Sequence, residues 1–415
     1  MQAATKSDIA LDLYITTNSP GEIAGWVTPF LRELRPRIWN CRTTIVILPC
    51  QYASGAELSY GAESGADRTV SIGRIDELRN DPAEAKISVK RRLVMHMGGD
   101  MFFSVYLSRK LKAPLWAYTA RPRWGRFVNR YFVPDEEAAE RFSALKFKPG
   151  RYECIGNLVL DSVILDESES DTRASLGIAP DSLVLTCLVG SRPLEYTKGI
   201  PLFAAISRLI TEKFPGIRVL FPLAPTVQED ILKSAMTESG ISWRGEERVR
   251  EIELGGGRWG TVIRGRTLET LNCSNLAIVV PGTNNLQAAA LYIPFIMVLP
   301  LDWADEYPLD GLLGVLPTWL PGIRWLKRRY ITRLNEQTSC VSLPNKMAGR
   351  MIAPEVRGIF QPDVVARLAI SLLESPERLK EMSRVFWDLT HKRGASVRLA
   401  ERVAQWTRED SPKRG

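Results

Sequence analysis

The sequence predicts an α/β chain built from two Rossmann-like parallel-sheet domains in tandem, on three grounds. Short apolar runs alternate with segments whose apolar residues recur at helical spacing, as in a parallel doubly wound sheet. The alternation pauses at an acidic, serine-containing stretch, residues 166–171, and then starts again. In both halves glycine turns follow the apolar runs and precede helical segments: Asn18-Ser19-Pro20-Gly21, Met97-Gly98-Gly99-Asp100, Val189-Gly190-Ser191-Arg192-Pro193 and Pro281-Gly282-Thr283-Asn284-Asn285.

Taken in order, residues 9–16 read as a strand. Residues 22–34 read as a helix, because Ile23, Trp26, Val27, Phe30, Leu31 and Leu34 share one face. Further strands are expected over 44–48, 93–97 and 114–118, with a helix over 101–111. In the second half the strands are 183–188, 219–223, 276–280 and a last one at 294–299, and the helices 202–214, 229–239 and 285–292. Residues 363–408 read as mostly helical.

The chain has 415 residues, enough for two to three domains at roughly 150 residues each. Hydrophobic residues make up 45% and charged residues 25%, with mean hydropathy −0.10. These values fit a chain that folds in water and exclude a disordered polymer or a membrane bundle. Asp8 and Asp12 interrupt the apolar run that a secretory signal would need, so the expected location is inside the cell. Six cysteines without a CxxC pair read as buried thiols in a reducing compartment, with no structural zinc.

The net charge of +8 is concentrated in clusters: Lys90 to Arg92; Arg109, Lys110, Lys112; Arg121, Arg123, Arg126, Arg130; and Lys327 to Arg329. Such clusters suit an anionic partner: a phosphorylated substrate, an anionic membrane surface or nucleic acid. Nucleic acid ranks last, since no helix-turn-helix, RNP or finger pattern lies near them. Residues 301–330 stand apart. They carry Trp303, Trp319, Leu320 and Trp325 before the basic Lys327 and Arg328, with Pro308, Pro317 and Pro321 forbidding one long helix. Aromatic residues beside a basic flank read as a membrane-surface contact, against the plainer reading of an insertion packed on its own domain.

Chemistry is expected at the glycine turns. Gly190, Ser191 and Arg192, with Glu195 behind them, offer bare N–H groups and a cation to a phosphate at a helix start. Gly282 and Thr283, ahead of Gln287, form a second cradle, which faces the same crevice if the two strands are parallel neighbours. Two cradles on one half fit a nucleotide diphosphate. Asp100, at a strand end beside two glycines, is placed for general-base work or for capping the helix that follows. His96, within Val94-Met95-His96-Met97, reads as a packed strand residue rather than a base.

These residues resemble the lipid-A-disaccharide synthase family. Val341-Ser342-Leu343-Pro344-Asn345-Lys346-Met347-Ala348-Gly349-Arg350-Met351-Ile352-Ala353-Pro354-Glu355 is similar to that family's SLPN-x-x-AGR-x-x-x-PE signature. In matching order come Pro20-Gly21-Glu22-Ile23-Ala24-Gly25 (GEASGD), Gly99-Asp100-Met101-Phe102 (PDF), Ile155-Gly156-Asn157 with Asp161 (IGHPLVD), Gly190-Ser191-Arg192 with Glu195 (PGSRxxE), and Gly282-Thr283 (SGTATLE). The resemblance implies a GT-B fold, two Rossmann-like parallel-sheet domains facing each other across a cleft. It places an acceptor domain at 1–165, a nucleotide-sugar domain at 166–380 with its insertion near 301–330, and a helical tail at 381–415 packing back on the first domain.

The implied reaction is an inverting transfer of an (acyl)glucosamine-type sugar from a UDP-sugar to a lipid-linked sugar acceptor, with UDP-sugar as substrate and neither cofactor nor metal. Asp100 matches the base. Gly190, Ser191, Arg192, Glu195, Gly282, Thr283, Gln287, Asn345, Gly349, Arg350 and Glu355 fall on the donor side, and Glu22, Gly25 and Asn157 on the acceptor side. The implied setting is cytoplasmic, peripheral on the inner face of the cytoplasmic membrane, with a homodimer admitted. Trp26, Asn157, Pro281 and Gln287 depart from the family's Asp, His, Ser and Glu, residues 120–126 replace its PSVWAW stretch, and 301–330 has no counterpart there. The alternatives are a paralogue that acts on another glycolipid or binds without turnover, and a UDP-sugar 2-epimerase, which the scarcity of histidine disfavours.

Overall fold

The structure is a computed structural model that describes residues 8–49, 57–80, 87–148, 150–190, 193–224, 227, 229–245, 249–306 and 322–409. The chain divides into two units, Met1–Ser162 with Arg393–Gly415, and Val163–Lys392.

The first unit holds seven parallel strands: β1 (Asp8–Thr17), β2 (Cys41–Ile47), β3 (Arg68–Ser71), β4 (Ser88–His96), β5 (Leu115–Tyr118), β6 (Arg130–Val133) and β7 (Tyr152–Cys154). Their order is β3-β2-β1-β4-β5-β6-β7. Both faces are covered, which is why the strands read as near-continuous apolar runs. Leu11, Leu13 and Ile15 pack under Ile23, Phe30, Leu399 and Val403 on one side. Tyr14, Val94 and Leu115 pack under Val105, Leu111 and Phe142 on the other. The winding reverses between the adjacent strands β1 and β4, where Thr16 pairs with His96. That switch point is where doubly wound sheets bind ligands.

The helix expected over 22–34 opens with Pro20–Glu22, passes through a π-helical turn, Ile23–Val27, and continues as Thr28–Leu34. The helix expected over 101–111 is found with those ends: Asp100 caps its start and Lys112, at φ +50°, stops it.

The second unit holds β8 (Val184–Leu188), β9 (Arg218–Leu223), β10 (Trp243–Gly245), β11 (Val249–Gly255), β12 (Arg258–Arg264), β13 (Leu276–Val279), β14 (Phe295–Pro300) and β15 (Glu355–Gly358). The order is β10-β11-β12-β9-β8-β13-β14-β15, parallel from β12 to β15 with an antiparallel edge at β10 and β11. Residues 294–299 are therefore not the last strand, since β15 adds beside β14 with Met297 opposite Glu355. The helix expected at 202–214 starts earlier and runs as Pro193–Lys213, carrying Pro201 inside it. The winding reverses here between β8 and β13, which are parallel neighbours.

The connection expected at 166–171 is partly helical, because Ser168 caps Glu169–Ser175. The tail expected from 381 divides. Helix Pro376–Thr390 stays with the second unit, where Phe386 stacks on Phe295 at 5.3 Å. Helix Ala395–Arg408 packs on the first, burying Leu399, Ala400, Val403 and Ala404.

In the 301–330 segment a 3-10 turn, Leu301–Glu306, precedes helix Ile323–Gln337. Trp319 and Leu320 lie outside the described residues. Two residues expected at a membrane surface are instead buried: Trp303 at 6% exposure and Lys327 at 2%. Trp303 lines a cavity just past β14, and Lys327 shares the helix's inward face with Ile331, four residues on. Trp325 and Arg328 are exposed. No helix among the described residues is long and apolar enough to cross a membrane.

Candidate functional site

In the first unit the expected residues gather at the β1/β4 switch point. Ser19 caps the turn after β1, accepting from the Glu22 N–H at 3.3 Å, and so brings Glu22 back over the strand end. The Glu22 carboxylate accepts from the Thr17 hydroxyl (2.9 Å) and the Asn18 N–H (3.1 Å). It also lies against Gly98. A Cβ at that position would stand 2.0 Å from a Glu22 carboxylate oxygen, and φ is +142°, so only glycine fits. Gly99, at φ +74°, then turns the chain to Asp100. Asp100 is exposed, and its carboxylate accepts from the Phe102 N–H at 2.9 Å. Both readings of Asp100 fit this geometry: one oxygen caps the helix, and the residue is exposed at the sheet edge.

His96 does not reach the surface. Its Nδ1 lies 2.8 Å from the Ser104 hydroxyl, which is 2.7 Å from that of Thr16. Burial lowers its pKa to about 4, with Asp100 acting weakly the other way, so the ring is neutral near pH 7.

Gly25 is buried in the π-helical turn, and the neighbouring Trp26 meets Tyr118 edge-on at 5.6 Å. Asn157 caps helix Leu158–Asp161, which packs on the same turn, accepting from the Val159 N–H at 3.0 Å. Burial raises the Tyr118 phenol well above its ordinary value, and its oxygen accepts from the Leu158 N–H.

In the second unit the two glycine turns leave adjacent strands at the β8/β13 switch point. Gly190 has φ +109°, and a Cβ there would stand 2.1 Å from a Glu195 carboxylate oxygen, the same glycine-over-glutamate arrangement as Gly98 over Glu22. Ser191 and Arg192 lie outside the described residues. Gly282 is extended and exposed at the start of helix Thr283–Ala290, on which Gln287 is half-buried. The space beside Gly282 is open, so the start of that helix is accessible. A cavity of about 370 Å³ lies past the end of β14, lined by Thr197, Lys198, Pro201, Pro300, Asp302 and Trp303.

The 341–355 signature forms one hydrogen-bonded unit. The Glu355 carboxylate accepts from the N–H groups of Val341 (2.9 Å) and Ser342 (2.9 Å) and from Asn345 Nδ2 (2.8 Å). Asn345 Oδ1 accepts from the Ile352 and Ala353 N–H groups. Both side chains are buried. Their polar atoms are occupied in holding the turn Gly349–Arg350–Met351, which is exposed. Gly349 takes φ +64° to close the helix before it, and Arg350 after it is exposed.

Sequence reasoning missed Asn285. It lies on the helix that Gly282 opens, with its side chain buried and an Oδ1 that finds no partner among the described residues. The signal was a second asparagine after the glycine turn. No group of His, Cys, Asp or Glu able to hold a metal is found among the described residues.

Two tandem doubly wound units, each with its glycine turns at the switch point, place this chain in the GT-B class of α/β proteins. UDP-GlcNAc 2-epimerase from Neisseria meningitidis bound to UDP-GlcNAc has a TM-score of 0.58 at 14% identity, over 95% of this chain and 100% of that one. Anabaena HepE in complex with UDP gives 0.52 at 10% identity, over 95% and 98%.

A family model described as lipid-A-disaccharide synthetase matches residues 146–303. Among curated proteins, the lipid-A-disaccharide synthases of Serratia proteamaculans and Pectobacterium atrosepticum are each 24% identical, over 94% and 90% of this chain and 96% and 91% of theirs. That of Syntrophus aciditrophicus is 26% identical over 60% of this chain, which spans 55% of that relative's length. The chain is thus similar to lipid-A-disaccharide synthases along most of its length, at low identity.

Proposed function

We propose that this protein is an inverting glycosyltransferase that moves an acylated glucosamine-type sugar from UDP to a lipid-linked sugar acceptor. The observation that carries the reading is the alignment with named synthases over nine-tenths of the chain, with Asp100, Gly190, Gly282 and Arg350 on the matching motifs.

The second unit takes the donor. The bare start of helix Thr283–Ala290 presents N–H groups and roughly half a positive charge to the diphosphate. The Gly190 turn and the exposed Arg350 add to it, while Asn345 and Glu355 hold the Arg350 turn in place.

The first unit takes the acceptor. The exposed carboxylate of Asp100 removes the proton from the acceptor hydroxyl, and the resulting oxygen attacks the anomeric carbon opposite the diphosphate. The new C–O bond forms as the bond to UDP breaks, and the electron pair leaves on the diphosphate, which the helix start and Arg350 stabilise. Glu22, fixed by Thr17 and Asn18 over Gly98, shapes the floor beside Asp100. The protein acts on the cytoplasmic face of the membrane without spanning it, and exposed Trp325 and Arg328 of helix Ile323–Gln337 contribute to that contact.

UDP is expected to raise the melting temperature where ADP and GDP do not, since a ligand at ~100 times its Kd adds about 2.7 kcal/mol. Asp100→Asn keeps the helix cap and the UDP shift but loses about 10²–10⁴-fold in turnover. A wild-type protein indifferent to UDP removes the donor assignment, and a fully active Asp100→Asn removes the base. UDP-sugar processed without any acceptor would instead identify an epimerase. The fold likeness alone, at 14% identity, carries no activity.

A further inference from the structure

Helix Met101–Leu111 and the loop after β5 together expose four large aromatic side chains beside Asp100. Phe102 is 51% exposed, Tyr106 44%, Trp124 39% and Phe127 37%. Three of them form one continuous platform, with Phe102 and Trp124 ring centres 6.1 Å apart and Trp124 and Phe127 5.8 Å apart. An exposed, contiguous aromatic surface of this kind marks a binding surface.

The loop is held firmly in this pose. The buried Tyr131 hydroxyl donates to the Arg123 carbonyl, and Arg151 donates to the carbonyl of Gly125 at 2.6 Å and to that of Val128. Trp124 itself sits at φ +57°, a left-handed conformation that bulky residues rarely adopt. The fold therefore carries local backbone strain at the residue whose indole it turns outward, a feature that clusters at functional positions.

Asp100 at the helix cap apart, the charged side chains of this helix and loop are cationic. Arg109 lies with its guanidinium 4.6 Å over the Phe127 ring, and Arg123 and Arg126 are exposed on the same loop as Trp124. No ion pair engages these three arginines among the described residues. Lys110, on the flank, is paired with Asp76. Apolar rings framed by uncompensated arginines complement a surface that is apolar inside and anionic outside.

We propose that this platform is the docking surface by which the first unit seats on an anionic lipid bilayer, with Trp124, Phe102 and Phe127 entering the interface and Arg109, Arg123 and Arg126 meeting the headgroups. It rests on the reading of the acceptor as lipid-linked. It adds the place: Phe102 donates its N–H to Asp100, so the bilayer surface and the base stand within one helical turn of each other. Helix Ile323–Gln337 of the second unit is then an accessory contact rather than the principal one.

The test is co-sedimentation of the full chain with phosphatidylcholine vesicles and with vesicles enriched in phosphatidylglycerol. The wild type is expected to bind the second kind, with binding weakened by salt. Trp124→Gly keeps the left-handed backbone and removes the ring, and its own melting temperature is read beside the wild type's. Combined with Phe127→Ser it should lower the partition coefficient by at least about tenfold. Arg123→Gln with Arg126→Gln should remove the preference for phosphatidylglycerol. The UDP-induced melting shift, read on the same samples, should be unchanged in every variant.

Wild-type protein that ignores both vesicle types overturns the proposal. So do platform variants that bind like the wild type, or binding that is lost only through Trp325→Ser with Arg328→Gln. In each of those cases a retained UDP shift leaves the donor reading standing. Loss of the UDP shift in the wild type would overturn that reading without touching the vesicle result.

Discussion

Asp161→Ala removes the acceptor on which the last helix begins. The carboxylate is buried and accepts from the Gly394 N–H at 2.7 Å, the Ser396 N–H at 2.6 Å and the Ser396 hydroxyl at 2.8 Å, more than two hundred residues away in sequence. It is an N-cap supplied by a distant part of the chain. Loss of a cap costs about 1 kcal/mol, and donors left buried without an acceptor add about 1–3 kcal/mol, so the total is about 2–4 kcal/mol.

The rest of helix Ala395–Arg408 stays tied to β7 and the residue after it, by Arg402 on Glu153 (2.8 Å) and Arg398 on the Ile155 carbonyl (2.8 Å). The damage should therefore be local: faster proteolysis near residue 394 and an earlier first transition in urea, with the second unit unaffected. Asp161→Asn keeps one acceptor oxygen but turns an N–H₂ toward a donor, and should fall between at about 1–2 kcal/mol. An Asp161→Ala protein within about 0.5 kcal/mol of wild type, with an equally protected tail, would refute the account.

Two further predictions follow from the same kind of geometry. Glu355→Gln should destabilise the second unit by about 2–3 kcal/mol because an amide cannot accept from Val341, Ser342 and Asn345 together, whereas Arg350→Ala should leave the melting temperature in place and reduce the UDP shift; the opposite pattern would make Glu355 the ligand contact. His96 titrates near 4 when folded against an ordinary 6.5, so the unfolded chain binds the extra proton between those values. Stability is full above about pH 6.5 and falls as the pH drops toward 4, by up to about 3 kcal/mol, and His96→Gln should flatten that part of a urea-against-pH series.

The parts of the fold legible in the sequence are those whose signal is local. Helix Met101–Leu111 is readable to the residue because Asp100 and Lys112 punctuate it, and the turns at Gly98 and Gly190 because no other residue tolerates their φ. The β11–β12 hairpin was missed although Val249–Gly255 alternates buried and part-buried residues and Gly255 to Gly257 supply the turn. A reading tuned to continuous apolar runs passes over alternation.

Pro201 hid the first turns of helix Pro193–Lys213, and β15, four residues long, carries too few positions to show a period. Pairings over long separations were invisible. Asp12, noticed as a charge interrupting a signal peptide, is fully buried and bonded to Arg42 at 2.9 Å, with Arg92 at 3.3 Å. The 341–355 signature was the most recognisable stretch of the chain, yet recognition said nothing of Asn345 and Glu355 bonding to each other. A motif records which residues occur together, and the side-chain contacts show what each of them does.

The path of the backbone also has a bearing on synthesis. Because Val163–Lys392 forms a unit of its own and the residues after it return to the first, the ribosome makes the opening sheet, then the entire second unit, and only then the helix that covers one face of the opening sheet. At roughly 5–20 residues per second that interval lasts on the order of tens of seconds. Throughout it, Leu11, Leu13, Phe30 and Leu34 lack the cover of Leu399, Ala400 and Val403. The part of the polypeptide that emerges first is therefore the part completed last, and the second unit can mature while its predecessor is still open to chaperones.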